Sequence, residues 1–204
     1  MLANDPPVAS PAPPPSGDAV ADALARGDRK AALGELMRRH GPELYRFCTS
    51  NLGDRDLADD VHQATFVAAY ECLATLTDAT RARSWLYGIA RHRCLDAIKA
   101  QRRRQWRFVL TAEPDGGEPA PSVEPDVHQT GEREPELAAL LACVRKLAPH
   151  VRVAVLLRYE EGLPYAEIAR MSREKPAALQ MRVARGLEAL RACIEKTADV
   201  EAAP

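Results

Sequence analysis

The stretch Glu160-Glu161-Gly162-Leu163-Pro164-Tyr165-Ala166-Glu167-Ile168-Ala169-Arg170-Met171 decides how the C-terminal part of the chain folds. Gly162-Leu163-Pro164 reads as a turn, and a short helix follows it over about 164–171. Ser172 to Lys175 are polar or charged and lead to Pro176, which can open another helix because a first-turn proline loses no helical hydrogen bond. In that helix Leu179, Val183, Leu187, Leu190 and Ile194 recur at steps of 4, 4, 3 and 4, a core stripe. Gln180, Met181, Ala184 and Arg185 lie off the stripe, toward the helix start. Two short helices around a tight turn, the second polar at its beginning, describe a helix-turn-helix. Side chains at the start of the second helix then reach base edges in a major groove, where glutamine pairs with adenine and arginine with guanine or phosphate. A purely structural helical hairpin is the alternative reading of the same residues.

Outward from this stretch, the strongest signal is a basic helix. Nine Lys/Arg stand against one acid, Asp96, between Arg81 and Arg107. Trp85, His92, Asp96 and Lys99 are spaced 7, 4 and 3 apart and share one helix face, while Leu86, Ala90, Cys94 and Ala97 occupy another. A buried stripe beside a face carrying an indole, an imidazole and cations suits nucleic acid, since cations neutralise phosphates and aromatic rings stack on unpaired bases. A solvated basic face with Trp85 in the core is the structural alternative. Between Ala112 and Glu136 the balance reverses, with eight acids against Arg133. The formal net charge of −1 therefore hides a basic segment followed by an acidic one.

Proline divides the chain. Six of its 16 prolines fall between Pro6 and Pro15, and five between Pro114 and Pro135; neither stretch has the apolar content a packed core needs. The division is a tail (1–17), a helical block (18–108), an acidic linker (109–134) and a second helical block (135–197). In the first block Asp18 caps one helix and Asp28 a second running to about Arg39. Gly41-Pro42 starts a third that ends near Asn51–Gly53, Asp54 or Asp56 caps a long one to about Thr75, and a last helix spans about Arg81 to Arg104. The long helix carries Leu57, Val61, Ala64, Ala68 and Cys72 on one stripe and Phe66, Tyr70 and Leu73 on nearly the opposite side, which places it inside a bundle. Asp60, Gln63 and Val67 lie between the stripes, free to face a partner.

The chain has 204 residues, 46% apolar and only 5% aromatic, with 11 glycines. This mix predicts an all-α protein: two small helical domains joined by a flexible acidic, Pro-rich linker, the second containing the helix-turn-helix. No apolar run reaches the roughly 18–20 residues that span a bilayer, and Met1 to Gly17 does not read as a secretory signal. A cytoplasmic location without membrane attachment is expected. The five cysteines (Cys48, Cys72, Cys94, Cys143 and Cys193) lie 22 to 50 residues apart without a CxxC pair, so reduced thiols are expected rather than disulfides. No nucleophile elbow, phosphate-cradling glycine loop, catalytic carboxylate pair or Cys/His cluster is present in the sequence, so no catalytic residue, metal, cofactor or small-molecule substrate is expected.

Three motifs, in order, resemble a known family. Asp59-Asp60-Val61-His62-Gln63-Ala64-Thr65-Phe66 is similar to the acidic motif by which bacterial RNA polymerase sigma factors of the extracytoplasmic-function type dock on the polymerase clamp helices. Arg83-Ser84-Trp85-Leu86-Tyr87-Gly88-Ile89-Ala90-Arg91-His92 resembles the segment that opens and reads the promoter's minus-ten element. Leu157-Arg158-Tyr159-Glu160 through Ala169 resembles the start of the helix-turn-helix that reads the minus-thirty-five element. The resemblance implies polymerase contact by Asp60 and Gln63, and minus-ten contact by Trp85, Arg91, His92, Asp96 and Lys99. It places Lys175, Ala178, Gln180, Met181, Ala184 and Arg185 on the minus-thirty-five element. It implies core RNA polymerase and promoter DNA as partners, admits an anti-sigma factor, and gives the acidic linker a place near the polymerase's RNA channels.

The sequence departs from that family pattern at several points. Ala64 stands where a glutamate is frequent, His92 where an asparagine is, and Arg173 where the turn usually has a glycine; Ala177-Ala178-Leu179 replaces a common Gly-Thr-Val. Small, apolar Ala178 and Met181 favour contact with thymine methyls. The competing reading is a helix-turn-helix regulator that binds DNA without polymerase, which accounts for 135–197 but leaves the first two motifs idle.

Overall fold

The computed structural model describes residues 18–111 and 135–201. The tail 1–17 and linker residues 112–134 lie outside the described residues. Among the described residues the fold is all helical: α1 (Ala19–Ala25), α2 (Arg29–Leu52), α3 (Arg55–Glu71), two short 3₁₀ turns (Leu73–Thr75 and Ala79–Arg81), α4 (Ala82–Thr111), α5 (Pro135–Lys146), α6 (Pro149–Tyr159), α7 (Tyr165–Ser172) and α8 (Pro176–Glu201).

Carboxylate caps start the first three helices. Asp18, Asp28 and Asp54 accept from the amides of Val20, Ala31 and Leu57, each at 3.0 Å, satisfying donors that have no helical partner. Gly53, at φ 73°, closes α2. Pro176 opens α8 as expected, and Pro149 opens α6 in the same way. Pro42 does not open a helix: α2 runs unbroken through it, and the expected separate helix from Gly41 is part of α2. Proline denies the Arg38 carbonyl its usual donor, but Leu36, Leu44 and Phe47 are buried on both sides of it, so packing outweighs the local penalty. The long helix α3 ends at Glu71, and Leu73–Thr75 is a 3₁₀ turn; α4 continues through residues 109–111, past the expected end.

In α3 the buried set is Ala58, Val61, Thr65, Phe66, Ala68 and Ala69, while Leu57, Ala64, Tyr70 and Cys72 are only half-buried. The inward face is therefore rotated by about one residue from the expected stripe. Thr65 turns its hydroxyl onto the Val61 carbonyl at 2.7 Å and so occupies a core position without an unpaired polar group. In α8, Leu179 and Val183 are fully buried and Leu190 nearly so, but Ile194 is 40% exposed, so the core stripe ends a turn earlier than expected.

One apolar core joins the two helical blocks. Leu44, Phe47 and Cys48 of α2 and Leu86, Tyr87, Ala90 and Cys94 of α4 pack in the same cluster as Val153, Leu157, Ile168, Leu179 and Val183. A second, smaller cluster (Val20, Ala23, Ala32, Leu36, Leu73, Leu76, Ala82) pins α1 and the 3₁₀ turns to α2 and α4. Gly186 lets α8 cross α6 closely, since a Cβ there would lie 2.6 Å from Val151 Cγ1.

The expectation of five reduced cysteines is overturned in the C-terminal block. Cys143 on α5 and Cys193 on α8 are disulfide-bonded, with Cα atoms 5.8 Å apart despite a sequence separation of 50. Packing of α5 on α8 creates this proximity, which spacing along the chain does not show. Cys48, Cys72 and Cys94 are free thiols.

Candidate polymerase and nucleic-acid interfaces

The outer face of α3 carries the acidic motif. Asp59, Asp60 and Gln63 are exposed, and Val67 is 59% exposed beside them. His62 is held inward, its Nε2 3.1 Å from the Gly41 carbonyl and its ring edge-on to Tyr45 and Phe66. The motif thus alternates between residues that fix α3 in the bundle and residues that project from it.

On α4, Leu86, Ala90 and Cys94 are fully buried, and the opposite face is open. His92 Nε2 lies 3.4 Å from Asp96, and Asp96 lies 3.7 Å from Lys99 Nζ, a short exposed chain of groups one turn apart. Arg93, Arg102, Arg103 and Arg104 are exposed too, and Trp106 is 70% exposed next to them. Sequence reading passed over Trp106; an aromatic flanked by three arginines is the signal that marks it.

Trp85 and Arg91 are not free like the rest of that face. Trp85 is half-buried against both core clusters, and its Nε1 donates to Thr75 Oγ1 at 3.0 Å. It forms one wall of a cavity of about 250 Å³, lined also by Thr75, Leu76, Thr77, Asp78, Arg81 and Ser84. Asp78 is held ionised at the rim, its carboxyl lowered by hydrogen bonds from the Thr80 hydroxyl and amide. Glu167, Arg170 and Met171 of the C-terminal block complete the cavity. The loop Thr75–Asp78 was not singled out from sequence, because its residues carry no periodic pattern. Arg91 is half-buried, and burial lowers its guanidinium pKa despite nearby Glu174.

In the helix-turn-helix, Lys175, Ala178, Gln180, Met181, Ala184 and Arg185 are all exposed, Met181 at 57%. The turn is braced by Arg182, which pairs with Glu174 at 2.6 Å. Arg173 closes α7 at φ 54°, the only non-glycine residue with positive φ among those described. It occupies a left-handed conformation that glycine adopts without steric cost.

The two blocks meet at Glu161, whose side chain is only 5% exposed. Arg83 Nη2 donates to its carboxylate at 2.8 Å, Arg83 Nη1 to its backbone carbonyl at 2.9 Å, and the Tyr87 hydroxyl donates to the same carboxylate. Burial pushes the Glu161 carboxyl above its ordinary value against the opposing pull of the Tyr87 hydrogen bond, and burial also raises the Tyr87 hydroxyl. Ser50 donates to Glu160 at 3.1 Å on the neighbouring edge. Arg83 and Tyr87 belong to the second motif, yet here they hold the blocks together.

Comparison with known proteins gives this arrangement a family. Residues 36–104 match Sigma-70 region 2 and residues 137–190 match Sigma-70, region 4. The chain is 30% identical over 186 residues to the ECF RNA polymerase sigma factor SigE of Mycolicibacterium smegmatis, covering 91% of this chain and 70% of that one. It is 31% identical over 167 residues to the RNA polymerase sigma factor CarQ of Myxococcus xanthus, covering 81% of this chain and 91% of that one. Among solved structures, CnrH in complex with the cytosolic domain of CnrY superposes with a TM-score of 0.61 at 26% identity, over 87% of this chain and 96% of that chain. The sigma factor RpoE in complex with the anti-sigma factor NepR from Bartonella quintana shares the fold, with a TM-score of 0.61 at 21% identity over 82% of this chain and 97% of that chain. A regulator acting without polymerase has no use for the region 2 match. With both regions matched in order, the chain belongs to the sigma-70 family as an extracytoplasmic-function sigma factor, a transcription initiation factor that directs core RNA polymerase to promoters.

Proposed function

We propose a division of labour among the named residues. Asp60 and Gln63 on α3 dock on the polymerase clamp. Trp85, Arg91, His92, Asp96 and Lys99, with the cavity beside Trp85, capture and hold the opened non-template strand at the minus-ten element. Lys175, Ala178, Gln180, Met181, Ala184 and Arg185 read the minus-thirty-five element as duplex. The observation that carries this reading is the exposure of these three motif faces on helices whose other faces are core: Asp60 and Gln63, then His92, Asp96 and Lys99, then Lys175, Ala178, Gln180, Met181, Ala184 and Arg185.

The action is differential binding rather than catalysis by the chain itself. Unpairing costs about 1–2 kcal/mol per base-pair step, and stacking a freed base on a side chain returns a similar amount. Residues 18–108 form the polymerase-docking and minus-ten unit, 135–197 the upstream reader, and the protein works in the cytoplasm. No described helix is long and apolar enough to cross a membrane. CnrH and RpoE were each solved with a protein bound, the cytosolic domain of CnrY and the anti-sigma factor NepR; a proteinaceous inhibitor of that kind is the partner we propose here as well.

The two reading surfaces lie on one packed body in this structure, whereas elements named for positions minus ten and minus thirty-five lie about 25 base pairs apart, about 85 Å of duplex at 3.4 Å per pair. The closed packing at Glu161 is therefore a resting arrangement, and docking on polymerase separates the blocks. Tethering there supplies the effective concentration that each small block lacks alone.

In vitro transcription with purified core polymerase tests the assignment. Asp60→Arg should release the chain from polymerase. Trp85→Ala should keep polymerase binding and reduce open-complex formation, and Arg185→Ala should weaken upstream-element recognition. Equal loss of both functions in Trp85→Ala, or intact upstream recognition in Arg185→Ala, contradicts the proposed roles.

A further inference from the structure

The disulfide sits where it can act on the upstream reader. Cys193 lies on the same helix as Ala178 to Arg185, two turns beyond Arg185, or about 12 Å along the axis. Past Leu190 the helix has little other hold on the domain, since Arg191, Ala192, Ile194 and Glu195 are exposed. The two sulfurs are unequal. Cys143 is 2% exposed in the core of α5, α6 and α8, while Cys193 is half-buried and lines an open groove with Lys146, Ala189, Ala192, Lys196 and Thr197. Through that groove a small thiol or disulfide reaches Cys193 but not Cys143. Lys146 and Lys196 line the same groove, so its rim is basic. Intracellular disulfides are as a rule transient or redox-sensing rather than permanent.

We propose that Cys143 and Cys193 are a reversible dithiol–disulfide couple, in which oxidation staples α5 to α8 and steadies the helix-turn-helix for duplex DNA. The co-reactant is a low-molecular-weight thiol and its disulfide. In reduction, a small-molecule thiolate attacks Cys193 Sγ, the S–S bond breaks, and Cys143 leaves as a thiolate that takes up a proton. A second small thiolate attacks the outer sulfur of the mixed disulfide, freeing Cys193 as a thiolate that is then protonated. One small-molecule disulfide is released, and two electrons and two protons have passed to the protein. Oxidation is the reverse, entering at Cys193 and resolved by Cys143. The chemistry stands independently of the DNA assignment; the regulatory consequence rests on α8 being the upstream reader.

The full chain is equilibrated in buffers of graded reduced-to-oxidised glutathione, free thiols are trapped by alkylation, and the trapped positions are read by mass spectrometry. Residues 143 and 193 should convert together within that range, with Cys48 and Cys94 alkylatable after unfolding at every ratio. Trapping of both sulfurs at every ratio overturns the proposal, and so does a bond that persists at the most reducing ratio. Closing a 50-residue loop should raise the melting temperature of the oxidised form by about 10 °C or more. Cys193→Ser should melt like the reduced chain under both conditions, and wild type reduced with a dithiol supplies the same comparison should the variant not fold. Equal melting of the two wild-type states refutes the staple. With core polymerase present, the oxidised form should hold a promoter bearing an upstream element several-fold more tightly than the reduced form. If binding is equal while Arg185→Ala still abolishes upstream recognition, the regulatory claim fails. If Arg185→Ala has no effect, it is the assignment of α8 that fails.

Discussion

Replacing Glu161 with alanine tests the seam between the two blocks most directly. The substitution removes the carboxylate that accepts from both Arg83 and Tyr87. The Tyr87 hydroxyl is left fully buried without its acceptor, which costs about 1–3 kcal/mol. A hydrogen bond between charged groups is worth about 1.5–3 kcal/mol when dry, and we halve it because the Arg83 side chain is 33% exposed and partly solvated. Against these stands the relief of no longer burying a carboxylate, whose cost is registered in its raised pKa. The net loss is about 2 kcal/mol, or roughly 30-fold in the ratio of closed to open chain. Small-angle scattering should show a more extended particle, and hydrogen exchange should quicken in α4 and α7 where they face each other. Apparent affinity for core polymerase should rise by up to the same factor, because less of the chain must first open. Unchanged scattering and exchange, with both blocks still folded by circular dichroism, would refute the argument that this contact holds the blocks together.

The remaining predictions concern pH and two backbone positions. The Glu161 carboxyl is raised in the closed form, so its contribution to closure is complete below the ordinary carboxylate pKa of 4.5 and is lost as pH rises through the closed-state value. Acidification should therefore close the chain, and Glu161→Gln, which resembles the protonated acid, should remove that part of the pH response in a scattering titration. Arg173→Gly relieves a left-handed backbone at φ 54° and should stabilise the C-terminal block by about 1 kcal/mol in chemical denaturation. Gly186→Ala drives a methyl to within 2.6 Å of Val151 and should cost about 1–3 kcal/mol in the same assay.

Much of the site was legible before the structure because its signals are local. Caps at Asp18 and Asp28 involve residues two or three apart and hold as read, and of the two candidates Asp54 and Asp56 it is Asp54 that caps α3. The helix-turn-helix follows from Gly162-Leu163-Pro164, Pro176 and the Leu179–Val183–Leu190 repeat, whose spacing alone sets one face. Exposure of Asp60, Gln63, Lys175 and Arg185 follows from the same periodicity. Local signals misled at Pro42, where a helix-starting residue sits inside α2 because apolar packing around it outweighs its backbone preference.

The sequence by itself determined the helical class, the order of the motifs and the outward turn of Asp60, Gln63, His92, Lys175 and Arg185, but not the half-burial of Trp85 and Arg91, since helix periodicity and charge are properties of neighbours in the chain. The tertiary structure alone decided what those faces meet. It made Arg83 and Tyr87 a clasp for Glu161, 78 and 74 residues away, instead of two more basic-helix residues. It folded the Thr75–Asp78 loop into a cavity with Trp85, and it brought Cys143 to Cys193. Each of these depends on how helices pack against one another, and a short window of sequence carries no measure of that distance.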